Sequence, residues 1–178
     1  MRNFPPERII CLTEETVETL YLLGEQDRIV GVTGYAVRPP IVRKEKERIA
    51  SFTSAKINKI ISLKPDLVLA FSDLQAKIAA KLIKNGIAVM TYNQRDIAGI
   101  LAMIRHLGAI VGVGETAEEI APSYERRLID LTNAKKALAR PQVYFQEWDS
   151  PMITGIKWVS ELIEIAGGVD VFCRAFFK

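Results

Sequence analysis

Histidine and cysteine are nearly absent from this chain. Its 178 residues include one histidine, His106, and two cysteines, Cys11 and Cys173. Two cysteines this far apart supply neither a disulfide framework nor the paired spacing of a metal site. A lone histidine cannot build a clustered imidazole site, and it leaves Ser-His-Asp chemistry poorly supported. Charge of one sign is also lacking, since 24 basic residues face 21 acidic ones for a net charge of +3. The densest charged run, Arg43-Lys44-Glu45-Lys46-Glu47-Arg48, nearly cancels itself, whereas a nucleic-acid face needs an unbalanced basic stripe. No run reaches the ~18 apolar residues that cross a bilayer. The start, Met1-Arg2-Asn3-Phe4-Pro5-Pro6, has no apolar stretch of the secretory kind. The chain as written is therefore expected in the cytoplasm, or in the periplasm or at the cell surface if a leader has been removed. No Gly-x-Gly-x-x-Gly or Walker-type loop follows an expected strand, because Gly112-Val113-Gly114 follows a helix. A Gly-x-Ser-x-Gly elbow is missing as well.

What is present is a hydrophobic content of 49% with 25% charged residues, ordinary for a soluble globular protein. The length suffices for one good core and is borderline for two. The most informative stretch is 57–71, INKIISLKPDLVLAF. Ile57, Ile60 and Ile61 follow helical spacing, while Leu67, Val68, Leu69, Ala70 and Phe71 form an unbroken apolar run. Pro65 disfavours helix at Lys64 and marks the boundary between them. A strand with no polar face must be covered on both sides, which points to a parallel sheet in an α/β fold. The loop after it, Ser72-Asp73, lies at the strand's carboxyl end, where open α/β sheets bind ligands.

Around this stretch the chain alternates strands and helices. Residues 9–12 read as a first strand, with Thr13 capping a helix whose first turn carries Glu14 and Glu15 and which stops at Gly24. Residues 29–32 are a second strand, and a polar connection containing Pro39-Pro40 leads to the third, 67–71. Ser72-Asp73-Leu74-Gln75 fits a capping box for a helix carrying Ile78, Ala79, Leu82 and Ile83. Residues 87–90 are a fourth strand, and Asp96 caps a helix with Ile97, Ile100, Leu101, Ile104 and Leu107 on one face. Thr116-Ala117-Glu118-Glu119 is a second capping box, opening a helix that continues to about Ala139 and spans roughly 30 Å. Pro122 is expected in its tolerant early part. Beyond Pro141, residues 142–148 contain a strand core of Val143, Tyr144 and Phe145, and 158–166 form a helix ended by Gly167-Gly168. About one β-α unit and a tail fit there, too little for an independent lobe.

These pieces in this order resemble the substrate-binding proteins of ABC importers for cobalamin and ferric siderophores, the cobalamin-binding branch above all. The resemblance covers about residues 7–172. It is carried by Arg8-Ile9-Ile10-Cys11-Leu12 with Thr13-Glu14-Glu15, by Gly31-Val32-Thr33-Gly34-Tyr35 with Pro39-Pro40, and by Ser51-Phe52-Thr53-Ser54. The stretch 57–71, Thr154-Gly155, and Glu164-Ile165-Ala166-Gly167-Gly168 complete it. It implies a class III periplasmic-binding-protein-like α/β architecture: a parallel-sheet lobe over 1–114, a long connecting helix over 115–140, and the start of a second α/β lobe over 141–178. It implies non-enzymatic capture of a cobalamin-type corrinoid in a cleft between lobes, the corrinoid being ligand rather than cofactor. The alternatives are a ferric-siderophore or haem binding protein, or a metal-handling enzyme on the same architecture.

Carried over by position, Tyr35 stands where the cobalamin proteins place a cleft tyrosine, Phe52 where they place a ligand-stacking tryptophan, and Phe71 at another aromatic position of the rim. Trp148, at the end of the first strand of the second lobe, is expected to face them. A corrin ring is a large, flat, mostly apolar surface, which aromatic faces cover at low entropy cost. Polar groups at strand ends, Thr13, Ser72, Asn93, Gln94 and Arg95, are expected to bond its peripheral amides. Phe71 also reads as core, because it ends an apolar strand, and Arg38 reads as a surface residue. The importer proteins dock on permease arginines through an exposed glutamate on each lobe. The first of these positions is Asn58 here, which supplies no ion pair, and the second would fall beyond Lys178. The tail from Cys173 onward is unlike the family and suggests an early stop or a frameshift. An incomplete second sheet leaves an edge through which a homodimer would form.

Overall fold

The structure, a computed structural model, describes residues 4–134 and 139–172. The expectations placed on 135–138 and on 173–178 lie outside the described residues. The chain groups into two compact units, the first made of 1–93 and 104–117, the second of 94–103 and 118–178.

In chain order the first elements are β1 (Ile9–Cys11), α1 (Glu14–Leu22), β2 (Ile29–Thr33), α2 (Val42–Glu45), β3 (Arg48–Ala50), α3 (Ile57–Ser62), β4 (Leu67–Phe71), α4 (Ala76–Lys84) and β5 (Val89–Tyr92). The five strands form one sheet in the order β3-β2-β1-β4-β5, and every pairing in it is parallel. The unbroken apolar runs predicted this: β1 and β4 are covered on both faces, with only Phe71 part-exposed. Successive side chains alternate between faces. Ile10, Leu12, Val68 and Ala70 therefore join Ile49, Ile60, Ile78 and Leu82 in one buried cluster under α3 and α4. Ile9, Cys11 and Leu69 are just as buried and point to the opposite face, where α1 lies. There the Cys11 thiol hydrogen-bonds the Thr16 side chain, and burial pushes it up to about 12. Cys11 is thus an inert small hydrophobe, as its apolar neighbours suggest.

Several boundaries differ from the sequence reading, each for a local reason. The polar connection contains α2 and β3, so Leu67–Phe71 is the fourth strand and not the third. Three residues with one buried side chain, Ile49, leave no periodicity to detect. The strand expected over 87–90 begins at Val89, because Gly86 and Ile87 are spent closing α4, donating to the Ile83 and Leu82 carbonyls. Thr116 does not open the long helix. That helix starts at Gly114, after a tight junction in which the Val113 amide donates to the Gly108 carbonyl at 2.8 Å.

The remaining elements are α5 (Ile97–Val111), α6 (Gly114–Ala134), β6 (Gln142–Val143), α7 (Lys157–Ile165) and β7 (Val169–Asp170). Both α5 and α6 contribute residues to each unit, so the stretch set aside as a connector is shared between them. Pro122 lies well inside α6 rather than in its first turn. In the second unit β6 and β7 pair in parallel as a two-stranded sheet. The expected strand core is shorter than predicted, because Tyr144 and Phe145 stand outside β6 and are exposed.

The second unit also holds a compact ionic clasp. Asp96 caps α5, its Oδ1 accepting from the Gly99 amide at 2.8 Å, and its Oδ2 accepts from Lys157 Nζ at 2.8 Å. Glu161 accepts from the Ile97 amide at 2.7 Å and lies 3.4 Å from the same ammonium. Lys157, helped by the Gly99 amide, holds the Asp96 carboxyl below its ordinary 3.8, and Asp96 raises Lys157 above 10.5. A depressed acid stabilises the fold above its unfolded pKa, and that stabilisation is lost as pH falls through the folded value. The raised lysine acts in the reverse direction, with stabilisation full below 10.5 and lost as pH rises beyond it. Asp96→Asn keeps a capping side chain but removes the ion pair. Its melting temperature is expected to fall below wild type near neutrality, the gap closing as pH drops below 3.8. Thermal melts followed by circular dichroism from pH 2.5 to 8 check this, and a gap constant across that range would refute it.

Candidate functional site

The first unit gathers chain ends at one edge of its sheet. Because all five strands run parallel, the residues after each strand emerge together: Phe52 after β3, Tyr35 after β2, Thr13 after β1, Phe71 and Ser72 at the end of β4, and Asn93 after β5. The strand order reverses between β1 and β4, which makes that pair the topological switch point, where open α/β sheets form their ligand crevice.

Local bonds fix this edge. The Gly34 amide donates to the Ala50 carbonyl at 2.7 Å, tying the end of β2 to the end of β3 and setting Tyr35 beside the loop that carries Phe52. That loop is closed by Ser51, whose amide donates to the Ser54 carbonyl at 2.7 Å and whose hydroxyl lies 2.6 Å from the Ser54 hydroxyl. Tyr35 is 61% exposed, while Phe52 and Phe71 are half-buried. Ser72 adopts φ 52°, a backbone region costly for a residue with a Cβ. It is held there from both sides, its amide donating to the Tyr92 carbonyl at 2.8 Å and its hydroxyl accepting from the Leu74 amide at 3.3 Å. The chain thereby turns sharply out of β4 into α4.

The polar residues are not equivalent. Thr13 is buried, and its hydroxyl lies 3.2 Å from that of Thr16, so it braces the start of α1. Ser72 is also buried. Ser72 and the exposed Asn93 line one groove of about 430 Å³ between α4 and β5, together with Asp73, Ala76 and Thr91. Gln94 and Trp148 belong to the second unit. Trp148 does not end a strand. It sits on a short turn, bridged to Ile153, with its indole N–H donating to the Ser150 carbonyl at 3.2 Å, and it is 64% exposed.

Two residues at this edge escaped the sequence reading. Tyr92, placed after the expected fourth strand, ends β5 and is 8% exposed. Its ring meets His106 edge-on at 5.9 Å, burial raises its phenol to about 12, and its hydroxyl has no hydrogen-bond partner among the described residues. Gln75, read as part of a capping box, is fully buried. Its Oε1 accepts from the Phe71 amide at 3.0 Å, one residue before the cap, and its Nε2 donates to two distant carbonyls. The signal for it was there: Gln75, Ile78 and Leu82 share one helical face, and an amide inside an apolar stripe needs partners. Among the described residues no cluster of three histidine, cysteine or acidic side chains could hold a metal ion, and no helix is long and apolar enough to cross a membrane.

With this geometry in view, comparison with known proteins is specific. A family model described as periplasmic binding protein matches residues 9–175. A vitamin B12-binding protein of Vibrio cholerae serotype O1 is 33% identical over 177 residues, covering 96% of this chain and 63% of the relative. The crystal structure of the periplasmic vitamin B12 binding protein of Vibrio cholerae superposes with a TM-score of 0.81 at 30% identity, covering 98% of this chain and 69% of that one. A periplasmic haem-binding protein from Roseiflexus sp. RS-1 gives a TM-score of 0.82 at 20% identity over 96% of this chain and 68% of that one, a likeness of fold alone. The chain spans about 63% of the length of the curated relatives it matches.

Proposed function

The chain belongs to the periplasmic binding protein family, and on that premise we propose that it binds a cobalamin-type corrinoid, without catalysis, at the carboxyl ends of the first unit's strands. The observation that carries this reading is the convergence of Tyr35, Phe52 and Phe71 on that one edge. Their faces would cover the flat ring by burying apolar area, while the Asn93 side chain and the polar groups of the β4–α4 turn would meet its amide rim. Ser72 and Thr13 act in this reading by shaping the edge, since both are buried. Gln94 and Trp148 are proposed as further ligand contacts. The lobe over 1–114 carries the ligand edge, 115–140 the connection, and 141–178 the start of a second lobe.

The solved vitamin B12 binding protein of Vibrio cholerae is periplasmic by name, which supports a periplasmic setting for this chain. A permease partner belongs to the same proposal, with the exposed, neutral Asn58 on α3 offering hydrogen bonds but no ion pair. A second copy would pair through the edges of β6 and β7. The test is a titration of cyanocobalamin into the purified protein, followed by the corrin absorbance. Saturable binding at micromolar ligand is expected. No saturable signal up to millimolar ligand overturns the proposal, and a parallel titration with haemin separates the alternative tetrapyrrole.

A further inference from the structure

Gln75 stands at the switch point, and its side chain replaces part of the sheet. β1 and β4 pair in register from Ile9 with Leu67 to Cys11 with Leu69, and the Leu12 amide donates to the Leu69 carbonyl at 2.9 Å. The next rung of a parallel ladder would run from the Phe71 amide to the Leu12 carbonyl. It is taken over by the carboxamide of Gln75. Oε1 accepts from the Phe71 amide at 3.0 Å, and Nε2 donates to the Leu12 carbonyl at 3.1 Å. The second N–H of the same Nε2 donates to the Phe52 carbonyl at 2.9 Å. One planar group thus splices two strand ends apart and pins the β3 loop to them. The donor and acceptor assignment is forced, because two partners are carbonyls and one is an amide N–H. No exposed surface remains on the side chain, so Gln75 touches no ligand.

We propose that Gln75 is the positioning residue of the ligand edge: by inserting its carboxamide between β1 and β4 it opens the switch point and fixes Phe52 and Phe71. The functional part of this rests on the corrinoid reading above, whereas the positioning itself does not. A buried carboxamide with all its bonds made is rigid, and losing them leaves two carbonyls and an amide unpaired in the interior. The strand ends are then expected to close towards an ordinary ladder and release the Phe52 loop.

The test uses the full chain labelled with 4-fluorophenylalanine, with the Phe52 and Phe71 resonances assigned by Phe52→Leu and Phe71→Leu. Gln75→Met keeps the side chain's length without its bonds. It is expected to shift or broaden both resonances while leaving that of Phe145 in place, and to weaken cyanocobalamin about fivefold. Combined with Phe52→Ala, the further loss should be much less than fivefold, since residues acting through one another are not additive. Unmoved Phe52 and Phe71 resonances, or fully additive losses, would overturn the proposal. If wild type fails to bind any corrinoid, the functional reading falls, and the fluorine spectra still decide the role of Gln75. Should Gln75→Met not fold, Gln75→Glu serves. Ionised, it faces two carbonyls, and protonated it regains one donor and one acceptor, so its resonances should return towards wild type as pH falls. No such recovery would count against the proposal.

Discussion

Gly108→Val is expected to destabilise the first unit by about 3 kcal/mol and to lower its melting temperature by roughly 6–12 °C. A Cβ built on Gly108 collides with the Cβ of Ala117, across the junction between α5 and α6, and approaches the Val113 carbonyl oxygen at 3.3 Å. Neither neighbour is the far end of a flexible side chain. Ala117 is fully buried, and the junction is closed by the Val113 amide on the Gly108 carbonyl. Helix propensity argues the other way, since glycine inside a helix costs about 1 kcal/mol relative to alanine. That gain is too small to offset an interhelical collision, so even Gly108→Ala should destabilise. The pair Gly108→Ala with Ala117→Gly moves the methyl group to the opposite helix and is expected to recover most of the loss. Circular dichroism melts of the three variants check this, and a Gly108→Val protein as stable as wild type would remove the close approach as an explanation for the glycine.

Phe52→Ala is expected to weaken cyanocobalamin at least tenfold, about 1.4 kcal/mol, with a smaller effect on the melting temperature. The ring is half-buried, so part of its area is already committed to the fold and part remains for a ligand. Truncating it removes a flat face that would cover on the order of 60 Å² of corrin, worth roughly 1.5 kcal/mol by area. Phe52→Trp enlarges the face and is expected to hold or improve affinity. Titration by corrin absorbance, with melts run on the same samples, separates binding from stability. A loss below threefold for Phe52→Ala would show that the aromatic loop does not carry the contact.

The elements legible in the sequence were those with a local signature. The apolar run of β4 told of burial on both faces, and Pro65 placed its start. Asp96 was read as a cap and is one, and Gly24, read as a stop, has φ 77° just past α1. The order and spacing of the motifs along the chain are by themselves enough to point to the family. Elements without such a signature were missed or misplaced. β3 has a single buried side chain. The capping box at Thr116 suggests a later start for α6, whereas the backbone at this junction is satisfied through Val113, whose amide donates to the Gly108 carbonyl and whose carbonyl accepts from the Ala117 amide. Trp148, expected at a strand end, lies beyond β6, which stops at Val143.

By itself the sequence determined which segments must lie inside a parallel sheet and which residues stand just past their ends, because a side-chain period of two or 3.6 residues reports local burial. Tertiary structure alone decided which of those residues lie exposed at the edge and which are buried within it. Thr13 and Ser72 turned inward, Tyr35 stayed exposed, and Gln75, four residues past β4, bonded carbonyls 63 and 23 positions away. A hydrogen bond across such separations leaves no trace in a local pattern, since its partners are chosen by how the strands are ordered and not by their own residue types.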